Sequence, residues 1–127
     1  MSYEVGVTAS FESAHSLKGA QFGPAANLHG HTYKVEAVVG GSELLEDGVL
    51  CNIVEVKSAL EKAVQRLHYK VLDEVQELSG INTTAEQMAR YLFSQIVSGI
   101  KEKGAAKYLG VTVWENQSNF ASFRDKI

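Results

Sequence analysis

The order of hydrophobic patterns along the chain constrains its fold more than any other feature. Residues 5–15 and 29–39 alternate apolar and polar side chains, as expected of half-buried strands. Two segments of helical spacing follow, within residues 52–67 and 83–100, and two short strand patterns, 109–115 and 120–123, come last. Because strands and helices are segregated in this ββααββ order, we predict one α+β domain over residues 1–127. Its four-stranded antiparallel sheet should carry two helices on one face.

Local signals place the ends of these elements. Gly19, Gly23, Pro24 and Asn27 predict a loop between the first two strands. The segments Asn52–Glu55 and Thr83–Glu86 each match a capping box, which predicts where the two helices begin. Gly104 is expected to end the second helix.

Composition excludes several classes of partner. The 127 residues include 12 basic and 15 acidic side chains without a basic cluster, so we expect no nucleic-acid partner. No apolar stretch is long enough to span a membrane, and the N-terminus lacks the apolar core of a signal peptide. The single cysteine, Cys51, fits a reducing compartment and reads as a packed thiol, so a cytoplasmic location is expected.

The exposed edges of a four-stranded sheet raise a question of assembly. Proteins protect such edges by charge, by covering them or by closing the sheet through association. A symmetric homo-oligomer that continues the sheet is therefore expected.

Three of the four histidines cluster at the junction of the first two strands. His29 and His31 are two residues apart on a strand and point to one face, and a hairpin brings His15 beside them. Three imidazoles with an open fourth position are typical of a catalytic zinc site. The alternative is that these rings simply pack against their neighbours.

The residues around these histidines resemble a known family. Phe11–His15 reads F-E-S-A-H and Leu28–Tyr33 reads L-H-G-H-T-Y, similar to the paired motifs of the 6-pyruvoyl-tetrahydropterin synthase family, which includes 6-carboxytetrahydropterin synthases. Further similar segments follow in the family's order over essentially the whole chain: Gly48–Lys57, Arg66–Leu67, Leu72–Asp73, Asn82–Glu86 and Val111–Glu115.

This resemblance implies a fold, an assembly and a site. The family has the tunnelling fold, commonly assembles as hexamers built from two trimers, and acts on dihydroneopterin triphosphate. Its zinc ligands map onto His15, His29 and His31, and its pterin anchor maps onto Glu115. A carboxylate there could accept two parallel N–H bonds from the pterin edge, although a solvated strand end is the alternative. Thr84 and Glu86 match positions near the pterin pocket, but helix capping alone would also explain them.

The chain differs from the family at the positions of the residues that transfer protons. The family's catalytic cysteine falls on Ala25, and the glutamate of a variant class falls on Ala26. An Asp-His pair falls on His68 and Tyr69, which are the remaining candidates for acid–base catalysis.

Three functions therefore stay open. The first is a zinc-dependent pterin lyase that acts on dihydroneopterin triphosphate or a related pterin, with chemistry altered from that of the parent family. The second is a pterin- or purine-binding homologue without catalysis. The third is a protein that keeps the fold, with histidines that only pack.

Overall fold

The computed structural model describes residues 1–127 and contains one mixed sheet covered by two α-helices. The strands are β1 (Tyr3–His15), β2 (His29–Gly41), β3 (Lys70–Val71), β4 (Tyr108–Trp114) and β5 (Phe120–Lys126), and the helices are α1 (Ile53–Gln65) and α2 (Ala85–Gly99). Short 3-10 segments cover Ala20–Ala26, Leu72–Glu74 and Gln76–Leu78. Neither α-helix has the length and apolar character needed to cross a bilayer.

The predicted four-stranded antiparallel sheet is wrong in one respect, because the sheet has five strands. Their order is β3-β1-β2-β4-β5, and all neighbours are antiparallel except β3, which runs parallel to β1. Strand β3 contains only Lys70 and Val71, which pair with Ser13 and Ala14. Two residues are too few to show a period in the sequence, so this strand could not be predicted from alternation.

Strands β1 and β2 form the longest pairing in the molecule. All thirteen residues of β1 face residues of β2, from Tyr3 opposite Gly41 to His15 opposite His29. Phe11 and Tyr33 lie directly opposite each other, and their rings stack with centroids 4.8 Å apart. Both are buried under the helices, so the register also decides which side chains enter the core.

The core lies between the inner face of the sheet and the apolar stripes of α1 and α2. It is one cluster, whose largest buried members include Phe11, Tyr33, Leu50, Leu60, Leu67, Met88, Leu92, Ile96 and Leu109. Cys51 belongs to the same cluster, and burial raises the pKa of its thiol, which confirms the expectation of a packed thiol. Val49 and Leu50, which precede Cys51, do not form a strand, and the Val49 side chain is exposed.

The helix ends differ from prediction in detail. Asn52 caps α1 as expected, because its side chain accepts the N–H of Val54. Glu55 does not complete the predicted capping box. Its carboxylate instead accepts the N–H groups of Lys101 and Glu102, which follow α2.

Helix α2 begins one residue later and ends five residues earlier than predicted. Its cap is Thr84, whose hydroxyl accepts the N–H of Gln87, so the predicted box at Thr83–Glu86 is wrong. The helix ends at Gly99 rather than at Gly104. A Cβ on Gly99 would lie 2.9 Å from the Cβ of Ala59, so a side chain there would push the two helices apart.

We expect the substitution Glu55→Gln to lower stability at neutral pH. Hydrogen bonds from the N–H groups of Glu102 and Lys101 lower the pKa of Glu55 from 4.5. A group with a lowered folded-state pKa stabilises the fold above its unfolded pKa and loses that effect as pH falls through the folded value. Urea unfolding should show a lower midpoint for the variant at pH 7 and a smaller difference from wild type well below pH 4.5.

The matched control is Glu61→Gln on the same helix, because Glu61 is exposed and makes no hydrogen bond. A Glu55→Gln variant with wild-type stability at pH 7 would show that this contact does not hold the segment after α2.

Candidate metal centre

The β1–β2 register gathers three histidines on the inner face of the sheet. His15 lies opposite His29, and His31 lies opposite Ser13. Each ring offers one ligand atom, and these atoms all lie within 4.8 Å of one another. Ring centroids are 4.6 Å apart for His15 and His29, 5.2 Å for His15 and His31, and 4.8 Å for His29 and His31. The structure thus places the rings together, as the strand pattern predicts.

Hydrogen bonds to backbone carbonyls fix which nitrogen two of these rings present. Nδ1 of His15 lies 2.9 Å from the carbonyl oxygen of Thr83, and Nδ1 of His29 lies 2.7 Å from that of Asn27. A carbonyl oxygen can only accept, so both Nδ1 atoms carry the proton. The lone pair of each neutral ring is therefore on Nε2, the atom that can bind a cation.

Burial favours the neutral form of two of the rings. Desolvation is the largest cause that lowers the pKa of His15, and the neighbouring histidines add to it, while the Thr83 carbonyl opposes it. Desolvation also lowers the pKa of His31, and the charge of Glu115 opposes this shift. Since a metal binds neutral imidazole, these shifts prepare the rings for ligation near neutral pH.

Tyr33 packs against two of the three rings, those of His15 and His31. Its hydroxyl is 3.4 Å from Nε2 of His15, and its side chain is fully buried. Burial raises the pKa of Tyr33, so the phenol stays protonated at neutral pH. The sequence showed Tyr33 only as the next inward residue after His29 and His31, and that shared face is the signal that links it to the site.

Two further residues at this site were missed as site residues at the sequence level. Thr83, expected to cap a helix, is fully buried, and its hydroxyl lies 3.2 Å from Nδ1 of His15. The same hydroxyl donates to Asp73, which also accepts the backbone N–H of Ser16. Capping explained Thr83 in the sequence, and Asp73 lies 58 positions from His15 in a short 3-10 segment, so no hydrophobic period linked them.

Glu115 lies just beyond the end of β4, close to the histidines. It is half-buried, and its charge acts on both His15 and His31. Glu115 and His31 line one open cavity of about 680 Å³, together with Trp114 and the loop after it. The structure therefore places the predicted pterin anchor beside the predicted metal ligands.

The other predicted substrate-binding residues lie at the start of α2. Thr84 caps the helix, and Glu86 is exposed in its first turn. Their positions agree with the capping explanation, and neither is among the hydrogen-bond partners of the three rings.

His68 and Tyr69 lie at the outer edge of β1 rather than among the three rings. Nδ1 of His68 accepts the N–H of Glu12, and the N–H of Tyr69 donates to the Glu12 carbonyl. The centroids of their two rings lie 3.9 Å apart, with the ring planes tilted by 32°. Tyr69 has a backbone φ of 58°, and 78% of its surface is exposed. Tyr69 lines an open groove of about 520 Å³ that extends to His31.

The positions implied for a catalytic cysteine or glutamate lie in the Ala20–Ala26 segment. Ala25 is half-buried, and its carbonyl accepts the N–H of Leu17. Ala26 is exposed.

Comparison with known proteins gives a consistent result across sequence and structure. The family model described as 6-pyruvoyl tetrahydropterin synthase matches residues 4–126. A 6-pyruvoyl tetrahydrobiopterin synthase of Dictyostelium discoideum is 32% identical over 105 residues, which cover 81% of this chain and 75% of that protein. A dihydroneopterin monophosphate aldolase of Pyrococcus furiosus is 27% identical, with 84% of each chain covered.

Solved structures show the same fold. The 6-pyruvoyl tetrahydropterin synthase of Caenorhabditis elegans superposes with a TM-score of 0.86 at 20% identity, over 98% of this chain and 96% of that one. At this identity the likeness establishes the architecture alone.

We predict that zinc binding requires the three rings together. Protein purified without a tag should hold about one zinc ion per chain, and His29→Ala should reduce this to nearly none, because two imidazoles leave the ion underliganded. Inductively coupled plasma mass spectrometry measures the content. His68→Ala removes the one histidine outside the cluster and serves as the matched control, which should keep its zinc. Equal zinc in both variants would contradict the assignment.

Proposed function

This chain belongs to the 6-pyruvoyl tetrahydropterin synthase family, and on that premise we propose that it is a zinc-dependent lyase that converts dihydroneopterin triphosphate or a related pterin. The observation that supports this most directly is the convergence of His15, His29 and His31 beside Glu115. The names of the relatives describe pterin synthases and a pterin aldolase, so pterin conversion recurs among them.

The donor set fits zinc. Neutral imidazoles with free Nε2 atoms suit this ion, and three protein ligands leave a position open for substrate. Zinc–nitrogen bonds of about 2.0–2.1 Å in a tetrahedral site would hold the nitrogens about 3.4 Å apart. The candidate ligand atoms lie within 4.8 Å of one another, which is compatible with a shared ion. A bound zinc would supply a Lewis acid for a side-chain hydroxyl or carbonyl of the substrate.

Glu115 is proposed to orient the pterin ring. Its carboxylate can accept two parallel N–H bonds from the amino-pyrimidinone edge, an arrangement stronger than two neutral hydrogen bonds. The cavity of about 680 Å³ that it shares with His31 has the size of a typical small-molecule site. Thr84 and Glu86 are proposed to contact the same ligand from the start of α2.

Proton transfer is assigned to His68 and Tyr69, because Ala25 and Ala26 carry only methyl groups. Within one chain, the rings of His68 and Tyr69 contact each other and not the rings of His15, His29 and His31. We therefore propose that they act at a site completed by assembly. The edge of β1 before Ser13 has no strand beside it, and β5 forms the other edge, so copies of the chain can continue the sheet. A hexamer of two trimers is the expected assembly.

A catalytically silent pterin-binding protein is the second candidate. The methyl groups at Ala25 and Ala26 favour it, since a missing acid–base group typically costs about 10²–10⁴ in rate.

Turnover separates these two functions. Zinc-loaded protein should convert dihydroneopterin triphosphate to a new pterin detected by chromatography, and His68→Ala should lower kcat by about 10²-fold or more. Tyr69→Phe removes only the phenol hydroxyl and tests whether Tyr69 takes part in proton transfer. Pterin binding without any product from a panel of dihydropterins would refute the lyase and leave the binding protein.

The pterin anchor is tested by Glu115→Gln, which keeps the shape and removes the charge. Losing a charge-assisted hydrogen bond of about 1.5–3 kcal/mol should weaken pterin binding by roughly 10- to 150-fold, as measured by calorimetry. Glu43→Gln, in an exposed loop, is the control and should bind normally. Unchanged affinity for Glu115→Gln would place the ring elsewhere.

A further inference from the structure

A chain of hydrogen bonds connects a carboxylate to one of the three clustered histidines. Asp73 Oδ1 accepts the hydroxyl of Thr83 at 3.0 Å, and both oxygens of Thr83 approach Nδ1 of His15, the carbonyl at 2.9 Å and the hydroxyl at 3.2 Å. Thr83 and His15 are both buried. No buried side-chain nitrogen or oxygen in this protein lacks a hydrogen-bond partner.

The direction of these bonds follows from Asp73. A carboxylate only accepts, so the single hydroxyl proton of Thr83 points at Asp73. The hydroxyl oxygen of Thr83 can then only accept a hydrogen bond from Nδ1 of His15, and the carbonyl oxygen of Thr83 is likewise only an acceptor. Nδ1 of His15 therefore carries the ring proton, and Nε2 presents its lone pair to the other two histidines.

Asp73 itself is held in place by the opposite segment of the chain. Its Oδ2 accepts the N–H of Ser16 at 2.8 Å and the Ser16 hydroxyl at 3.3 Å. The carboxylate thus has donors on both oxygens, which fixes its orientation toward Thr83.

We propose that Asp73, acting through the Thr83 hydroxyl, is a positioning residue that reinforces the tautomer favoured by the Thr83 carbonyl and orients His15 for metal binding. Partners behind a metal-bound histidine typically change metal affinity by about 10- to 100-fold when they are removed. The inference rests on the proposed metal site, and it concerns a residue that touches neither the ion nor the substrate.

Replacing Asp73 with asparagine should reverse the chain of bonds. The amide oxygen is required by the N–H of Ser16, so the NH₂ group faces Thr83 and donates to its hydroxyl. The Thr83 proton is then free to point at Nδ1 of His15. This arrangement competes with the Thr83 carbonyl and raises the population of the tautomer with the proton on Nε2, which blocks the metal-binding lone pair.

Zinc affinity measured by competition with a chromogenic chelator tests this order of effects. Asp73→Asn should bind zinc about 10- to 100-fold more weakly than wild type. Thr83→Ser keeps the hydroxyl and should stay near wild type. The double variant Asp73→Asn with Thr83→Val lacks the hydroxyl whose proton would turn toward His15. Its zinc affinity should therefore recover toward that of Thr83→Val alone.

This recovery distinguishes positioning from simple support of the fold, because destabilising changes would add rather than cancel. Asn82→Ala is the matched control, since the Asn82 side chain joins the same two segments through Lys18 and makes no hydrogen bond to Thr83 or His15. It should retain zinc affinity. A double variant that binds more weakly than Asp73→Asn, or a control as weak as Asp73→Asn, would overturn the proposal.

Nuclear magnetic resonance of the metal-free protein gives an independent measurement. Long-range nitrogen–proton correlations should show His15 protonated on Nδ1 in wild type and partly on Nε2 in Asp73→Asn. A wild-type ring protonated on Nε2 would overturn the inference whatever the variants do. If wild type shows the expected tautomer but binds no zinc, the proposed function fails and the role of Asp73 in orienting His15 stands.

Discussion

The register between β1 and β2 is the constraint on which the rest of the structure depends. It pairs thirteen residues of β1 and puts Phe11 against Tyr33, His15 against His29 and Ser13 against His31. A slip of one residue would turn these side chains to the other face of the sheet. The stacked rings of Phe11 and Tyr33 oppose such a slip, because a shift would expose both. The same pairing therefore fixes the core and the histidine cluster.

The histidine cluster lies where the apolar core ends, and this position determines its chemistry. Phe11 and Tyr33 are core residues, and the next inward positions toward the end of the hairpin are Ser13, His15, His29 and His31. Burial costs polar rings free energy unless they are hydrogen-bonded, and carbonyl groups of Thr83 and Asn27 supply those bonds for His15 and His29. Burial lowers the pKa of His15 and of His31 and so favours their neutral forms, and the two carbonyl groups orient the rings of His15 and His29.

The parts of this arrangement with a repeating pattern could be predicted from the sequence. Alternation placed β1, β2, β4 and the start of β5, and it put His29 and His31 on one face with His15 across the hairpin. The parts without a period could not be predicted. Strand β3 is two residues long, and α2 ends at Gly99, five residues before the predicted stop at Gly104. Thr83 next to Thr84 offered two possible caps, and only the fold shows which one faces the core.

Strand β1 holds the two groups of residues in the proposed site by different kinds of contact. His15 extends inward from β1 and depends on the packed core, whereas His68 and Tyr69 are joined to the backbone of Glu12 at the strand edge. The bond from the Tyr69 N–H to the Glu12 carbonyl involves no side chain, so this position can change identity while the chain keeps its path. Replacing an inward histidine would instead disturb packed neighbours. Packing therefore constrains the identity of residue 69 less than that of His15.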